Sequence, residues 1–175
     1  MNTPSLLRDA IRDIPDFPKP GILFRDITPV LADAGLFRAA IGEFAKICRD
    51  SKAEKIAGID ARGFLFGATV AYELGLGFVP VRKKGKLPFH TITQSYDLEY
   101  GSSEVEIHTD AFKKGEKVAL IDDLLATGGT AGAAIKLINQ SGAHIVTAAF
   151  LIELADLGGR KVLGEVPVTA IVSYA

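Results

Sequence analysis

The amino-acid sequence predicts an α/β fold: a central, mainly parallel, twisted sheet flanked by helices. Three observations carry that expectation. Apolar runs of strand length recur at 55–60, 77–82, 118–121, 144–151 and 166–172. Segments with helical spacing alternate with several of them, notably 36–48, 62–72 and 131–138. Such alternation builds parallel sheets through right-handed crossovers. Ligands of these sheets bind outside the carboxyl ends of the strands, and Asp60, Arg82 and Asp122 all fall at those ends. At 175 residues the chain suits one domain, 1–175, with a sizeable core.

The elements follow in order. Thr3 and Pro4 read as an N-cap and a first-turn proline. Leu6, Leu7, Ala10, Ile11 and Ile14 then make a short amphipathic helix, stopped by Pro15, Pro18 and Pro20. Arg8, Asp9, Arg12 and Asp13 form its solvated face. Residues 20–31 mix apolar side chains with an embedded Arg25-Asp26 pair. Alone they suggest only a core Phe24 and a local ion pair. Asp33 is an N-cap for the next helix, whose apolar face is Leu36, Phe37, Ala40, Ile41, Phe44 and Cys48. Cys48 on that face is a buried structural thiol.

Residues 55–60 form the first core strand, which breaks at Ala61-Arg62-Gly63 into a helix. Arg62 in that turn reads either as a salt-bridged surface residue or as an anion ligand at a helix N-terminus. The strand 77–82 leads into a basic run, Lys83-Lys84-Gly85-Lys86. Beside an anion site this run would make a second phosphate clamp; elsewhere it would be a solvated loop. Residues 84–95 lack periodicity and read as a mobile lid. His90 has no second His or Cys near it in sequence, so no metal ligand is proposed. Residues 104–108 alternate as a half-buried antiparallel strand with Glu104 and Glu106 outward.

The densest chemistry lies at 118–130. Val118-Ala119-Leu120-Ile121 is a buried strand, with Asp122 and Asp123 where it ends. Ala126-Thr127-Gly128-Gly129-Thr130 follows, then a helix. A small-residue loop at a helix N-terminus is an anion site, through backbone N–H groups and the helix dipole. Glycines there let a phosphate approach the backbone, and Thr127 and Thr130 add hydroxyl donors. Two carboxylates do not suit a bare phosphate; ribose hydroxyls or a metal would suit them. Gly-Lys-Ser/Thr at P-loop spacing and the dinucleotide fingerprint are both absent from this run.

Composition narrows the class. Hydrophobic residues are 48% and charged residues 23%, ordinary for a globular chain. The net charge of −1 leaves no basic footprint for duplex nucleic acid. Cys48 is the only cysteine, which excludes an intrachain disulfide and fits a reducing compartment. Residues 1–20 hold no apolar h-region and no run is long enough to span a membrane, so a cytoplasmic protein without membrane partners is expected.

The run 118–130 resembles the phosphoribosyl pyrophosphate signature of the type I phosphoribosyltransferases. Residues 20–31 resemble the base-binding hood of the adenine phosphoribosyltransferases, and Tyr96-Asp97-Leu98-Glu99-Tyr100-Gly101 matches that family's Y-x-L-E-Y-G motif. With the Arg62 turn and the basic loop in family order, the resemblance covers nearly the whole chain. It implies the type I fold, with a small N-terminal hood (1–31) and a flexible lid loop. The implied reaction joins adenine to phosphoribosyl pyrophosphate, giving AMP and pyrophosphate, with Mg²⁺ carried by the donor. Phe24 would stack on adenine, with backbone at Leu23 and Arg25 reading the base edge. Glu99 and Arg62 would be catalytic, Glu99 handling a proton of the purine and Arg62 gripping pyrophosphate. Asp122 and Asp123 would hold ribose hydroxyls, Ala126–Thr130 the 5′-phosphate, and Arg82 and Lys83 the pyrophosphate. The resemblance further implies a homodimer and a cis peptide between Asp60 and Ala61. The lid residues Phe89-His90-Thr91 depart from many relatives. A transferase for hypoxanthine, xanthine or orotate, and a ligand-sensing regulator on the same fold, are the alternatives.

Overall fold

A computed structural model describes residues 2–97 and 101–175. The chain opens with helix α1 (Thr3–Ala10), an antiparallel pair β1 (Arg12–Pro15) and β2 (Leu23–Asp26), and the short α2 (Thr28–Ala32). The body continues through α3 (Ala34–Asp50), β3 (Lys55–Ile59), α4 (Arg62–Leu74) and β4 (Gly77–Lys83). Then come the strands β5 (Thr91–Asp97), β6 (Ser102–His108) and β7 (Lys117–Leu125), and the helix α5 (Gly129–Gln140). The strand β8 (His144–Leu154), a 3₁₀ turn (Ala155–Leu157), α6 (Gly159–Leu163) and β9 (Val168–Tyr174) complete it.

Seven strands form the main sheet in the order β5-β6-β4-β3-β7-β8-β9. The five from β4 to β9 are parallel; β6 and β5 add antiparallel at one edge. Strand alternation gives the sheet two apolar faces. Val118 and Leu120 of β7 join α5 and β6 in one core; Ala119 and Ile121 join α3 and α4 in the other. β3 is followed by α4 on one face and β7 by α5 on the other. The chain direction therefore diverges between β3 and β7, a switch point whose carboxyl end opens as a crevice.

The expected α/β architecture, N-terminal hood and buried Cys48 are present. Cys48 is fully buried, and burial pushes its thiol up to about 12. Asp33 caps α3 as expected, accepting from the Leu36 N–H at 2.9 Å. Four expectations need correction. The first helix is capped by Asn2 rather than Thr3 and ends at Ala10. Ile14 lies in β1, because a residue before proline is driven to extended backbone and β2 supplies a ladder. Residues 84–95 are not one irregular lid: Thr91–Asp97 is a strand paired with β6. Polar residues at its inward positions, such as Gln94, hid the period of two. Glu106 does not face outward but is 3% exposed. Finally, β7 continues to Leu125, so Asp122 and Asp123 lie within the strand rather than at its end. Glu99, between β5 and β6, lies outside the described residues.

Candidate active site

A cleft of about 500 Å³ opens at the carboxyl ends of β3 and β7. Asp60, Ala61 and Arg62 line one side, Lys83 and Tyr96 another, and the run from Asp122 to Ala131 the floor. It therefore gathers residues from the Arg62 turn, the basic run and the 118–130 stretch. Among the described residues, no side chain caps the N-terminus of α4 or α5. Their first-turn N–H groups are left for solvent or a ligand, and both termini lie at the cleft.

The loop after β7 is built by close approach. Gly128 has φ +84°, a left-handed conformation, and a Cβ on it would lie 2.6 Å from the Gly159 carbonyl oxygen. Gly129 starts α5, and Tyr96 lies across it: a Cβ at Gly129 would stand 3.2 Å from the Tyr96 ring. The turn after β3 is different. The Asp60–Ala61 peptide is cis, as the resemblance implied. At Gly63 a Cβ would meet Asp122 Oδ1 at 2.8 Å and Ile121 O at 2.9 Å. Only glycine lets the first turn of α4 sit directly against β7.

Asp122 and Asp123 are adjacent carboxylates at this junction. Burial raises the pKa of Asp122 well above the ordinary range, and the neighbouring Asp123 charge raises it further. Burial also raises Asp123, opposed by the Arg62 guanidinium. Arg62 Nε lies 2.6 Å from Asp123 Oδ2. Ionising both carboxyls here is opposed by burial and by their proximity, a cost that a hydroxyl-rich or cationic ligand would relieve.

Lys83 reaches the cleft, but Arg82 is engaged behind it. Its Nε donates to Asp60 Oδ2 at 3.0 Å and its Nη1 to the Lys86 carbonyl at 3.1 Å. The loop 85–87 is itself held by Glu106, whose Oε1 accepts from the N–H groups of Lys86 and Leu87, both at 2.9 Å. Burial acts to raise the Glu106 pKa. Hydrogen bonds from Leu87, Gly85, Lys86 and Thr91 outweigh it and hold the carboxyl below its usual value.

A second pocket of about 530 Å³ adjoins the cleft, and Arg62 lines both. Phe17, Phe24, Ile27, Leu31 and Leu65 make its walls apolar, with Asp26 and Thr28 at the polar side. The Phe17 ring packs edge-on to Phe24 at 5.2 Å. The Arg62 guanidinium stands 5.8 Å from the Phe24 centroid. Asp26 holds the chain there, accepting from the Thr28 N–H at 2.9 Å and hydroxyl at 2.8 Å. Leu23 and Arg25 flank Phe24 on β2 but do not line this pocket. Leu23 is exposed. The Arg25 side chain turns away, ion-paired to Asp13 and stacked 3.8 Å above the Tyr174 ring.

Three participants were not singled out in the sequence. Tyr96 carries no sequence signal of its own beyond the motif around Glu99. The Asp26-x-Thr28 spacing, a signal for a side-chain-capped turn, marks the polar edge of the apolar pocket. Gly158-Gly159, a pair beyond the 3₁₀ turn that follows β8, marks the segment packed under the loop after β7.

The family model described as phosphoribosyl transferase domain matches residues 30–168. The adenine phosphoribosyltransferase of Neorhizobium galegae is 57% identical over 162 residues, 93% of this chain and 90% of that protein. The crystal structure of adenine phosphoribosyltransferase from Thermoanaerobacter pseudethanolicus superposes with a TM-score of 0.95 at 49% identity, over 98% of this chain and 99% of that one. The Saccharomyces cerevisiae enzyme, complexed with adenine and an imino-altritol bisphosphate, gives 0.93 at 41% identity, over 97% and 98%.

Proposed function

The chain belongs to the phosphoribosyltransferase family, among its adenine phosphoribosyltransferases, and we infer from its own residues how it works in purine salvage. It transfers the 5-phosphoribosyl group from phosphoribosyl pyrophosphate to adenine, giving AMP and pyrophosphate. The observation that carries the assignment of roles is the adjacency of two unlike pockets. One is an anion cleft between two uncapped helix N-termini; the other is an apolar slot containing Phe24, and Arg62 borders both.

Adenine enters the slot and stacks on Phe24. Among the described residues β2 pairs only with β1, and a two-stranded ladder uses the backbone groups of alternate residues. The remaining N–H and C=O groups of Leu23 to Arg25 are free to read the base edge, so Leu23 and Arg25 contribute backbone rather than side chain. The 5′-phosphate sits on Ala126, Thr127, Gly128, Gly129 and Thr130, where N–H groups and hydroxyls converge at the start of α5. Asp122 and Asp123 accept from the ribose hydroxyls. The pyrophosphate lies toward the Asp60–Arg62 turn and Lys83, with Arg82 holding Asp60 in place.

The bond from ribose to pyrophosphate breaks as positive charge grows on the sugar ring and negative charge on the leaving group. Arg62 and Lys83 supply fixed positive charge on the leaving side, and the carboxylate pair stands on the ribose side. Holding base and sugar in facing pockets turns their encounter into an intramolecular step. Two carboxylates whose proton affinity burial has raised also suit a cation arriving with the donor. Mg²⁺ so carried would neutralise pyrophosphate charge, with Asp122 and Asp123 as its protein neighbours. Glu99 is assigned the proton of the purine imidazole ring on the strength of its motif. A homodimer in the cytoplasm completes the proposal, the two-fold state being the commonest for soluble oligomers.

Mixing adenine, phosphoribosyl pyrophosphate and Mg²⁺ with the protein and measuring AMP is the direct test. AMP formation with adenine, undiminished by competing hypoxanthine, supports the assignment. Turnover of hypoxanthine in preference to adenine would overturn the assignment of the Phe24 slot to adenine. Light scattering at micromolar protein reports the dimer; a monomer mass would contradict it.

A further inference from the structure

We propose that the segment after β8, Gly158-Gly159-Arg160, is a positioning element for the phosphate loop, clamped by the bonds of the half-exposed Arg160 to the buried Glu153. The idea rests on the assignment of that loop to the 5′-phosphate, and it concerns residues that touch no substrate themselves.

The geometry starts in β8. Glu153 lies opposite Leu125 in the parallel register, and Leu125 is the last residue of β7 before the loop. The Glu153 side chain is 7% exposed. A carboxylate that deep requires a partner with matching geometry. Arg160 supplies two parallel bonds, Nε to Oε1 at 2.6 Å and Nη2 to Oε2 at 2.8 Å. Its third bond, Nη1 to the Val168 carbonyl at 2.7 Å, ties the same guanidinium to the start of β9. Both ends of the β8–β9 crossover are therefore gripped by one planar group, which a flexible ammonium does not reproduce.

The clamp fixes where Gly159 lies. A Cβ on Gly128 would come within 2.6 Å of Gly159 O and 3.1 Å of Gly159 Cα. In the other direction, a Cβ on Gly159 would overlap the Ala126 carbonyl and lie 3.0 Å from Leu125 Cδ1. The two backbones are thus in direct contact, with no side chain between them to take up a shift. The contact continues along α6, where Val162 Cγ1 would stand 3.2 Å from a Cβ on Gly132 in the first turn of α5. The loop is backed at Ala126 and Gly128 and its helix is backed at Gly132. Displacing Gly159 displaces the N–H groups that would meet a phosphate.

The inference predicts a selective loss. Arg160→Lys keeps a charge for Glu153 but loses the fork. Gly159→Ala leaves the clamp intact and pushes directly on Ala126. Calorimetry on the full chain would use ribose 5-phosphate, which needs the loop, and magnesium pyrophosphate, which does not. Both variants are expected to weaken ribose 5-phosphate binding by about 10- to 100-fold, the size of losing one hydrogen bond to a charged group. Pyrophosphate affinity should stay within about twofold, because its turn lies elsewhere. A general loss of structure would lower both affinities together, and that outcome overturns the proposal. So does unchanged ribose 5-phosphate binding in the folded variants. Thr130→Ala separates the two levels of the argument. If it weakens ribose 5-phosphate while neither buttress variant does, the loop keeps its ligand and the buttress is refuted. If none of the three changes binding, the phosphate assignment falls, and the buttress with it.

Discussion

The turn after β3 and the turn after β7 lie on neighbouring strands, and each brings an uncapped helix N-terminus to the same cleft. They are made of different materials. The β7 turn is glycine, threonine and backbone, locked by contact with Gly159 and carrying no charge. The β3 turn carries Asp60 and Arg62, and its position depends on side-chain bonds from Arg82 and to Asp123. A terminal phosphate that stays bound throughout the reaction is served by rigid N–H groups. A pyrophosphate that must leave is served by long cationic side chains that can follow it. The difference predicts that mutations in the β7 turn act on binding and stability together. Those in the β3 turn act mainly on turnover.

The largest effect should come from Gly128→Ala. A left-handed backbone and a carbonyl at 2.6 Å leave the methyl group nowhere to go. Strain of about 1–3 kcal/mol is the usual cost of such a conformation for an L residue. For a chain of this size that lowers Tm by about 2–12 °C, together with loss of ribose 5-phosphate affinity. Gly129→Ala is the internal contrast. Its Cβ meets only the Tyr96 ring, at 3.2 Å, and the Asp97 carbonyl, at 3.4 Å, so most of the stability should remain. If the two substitutions proved equal by calorimetry and thermal melts, rigidity would not be the property of this turn.

Arg62→Gln should show the opposite signature. Turnover should fall by about 10²–10³, the usual effect of removing one preorganised charge from a reacting site. Stability should change less than in Gly128→Ala, since the Arg62 side chain is 44% exposed. Steady-state kinetics would separate the cases. A rise in the KM for donor with unchanged kcat would mean that Arg62 only binds.

The two turns also differed in how legible they were. Glycines, threonines and paired carboxylates between a strand and a helix name an anion loop locally, and 118–130 carried that signal without any tertiary information. Arg62 was visible as a candidate, but its bond to Asp123 joins residues far apart in the chain. That the sheet is mainly parallel followed from alternating periodicities, whereas the order of its strands did not. The antiparallel edge was harder, because Glu106 in β6 looks like an outward acid in a period of two. What turns it inward is the need of the 85–87 loop for an acceptor, a contact between segments about twenty residues apart. The Gly158–Arg160 segment left almost no trace, since its role lies in what it touches. Glu99 was named from its motif and lies outside the described residues, so its place beside the purine rests on sequence alone.

Asp122→Asn tests the electrostatic link between the turns, with a smaller and pH-dependent effect. Burial and Asp123 raise the Asp122 pKa above its unfolded value, near 3.9. The folded chain then holds that proton more tightly than the unfolded one. The resulting stability is full below the unfolded pKa and is lost as pH rises through the folded one. Above the unfolded pKa, a carboxyl at this position therefore weakens the fold, and asparagine should raise Tm at neutral pH by about 2–4 °C, the shift for 1 kcal/mol. The gain should shrink as pH falls toward the unfolded carboxyl pKa, while donor affinity is lost at every pH. A variant less stable than the parent at neutral pH would show that Asp122 is not held under repulsion.

Glu106→Gln should be the smallest change, and it reaches the β3 turn only through intermediates. Glu106 holds the N–H groups of Lys86 and Leu87, the Lys86 carbonyl accepts from Arg82, and Arg82 holds Asp60. Glutamine can keep its oxygen on the two N–H groups and turn its amide toward the Thr91 hydroxyl, so the loop should stay in place. What disappears is the charge, and with it charge-assisted bonds that exceed neutral ones by about 1 kcal/mol. The sign of the pH dependence is the reverse of that for Asp122. Hydrogen bonds hold the folded Glu106 pKa below its unfolded value, near 4.3. Its contribution is present above that value and is lost as pH falls through the folded pKa. The variant should melt slightly below the parent at neutral pH and converge with it in acid. Ribose 5-phosphate affinity should be unchanged, because the loop after β7 has its own support. If that affinity fell in step with pyrophosphate affinity, the two turns would be one mechanical unit, and the contrast between a rigid turn and an adaptable one would have to be abandoned.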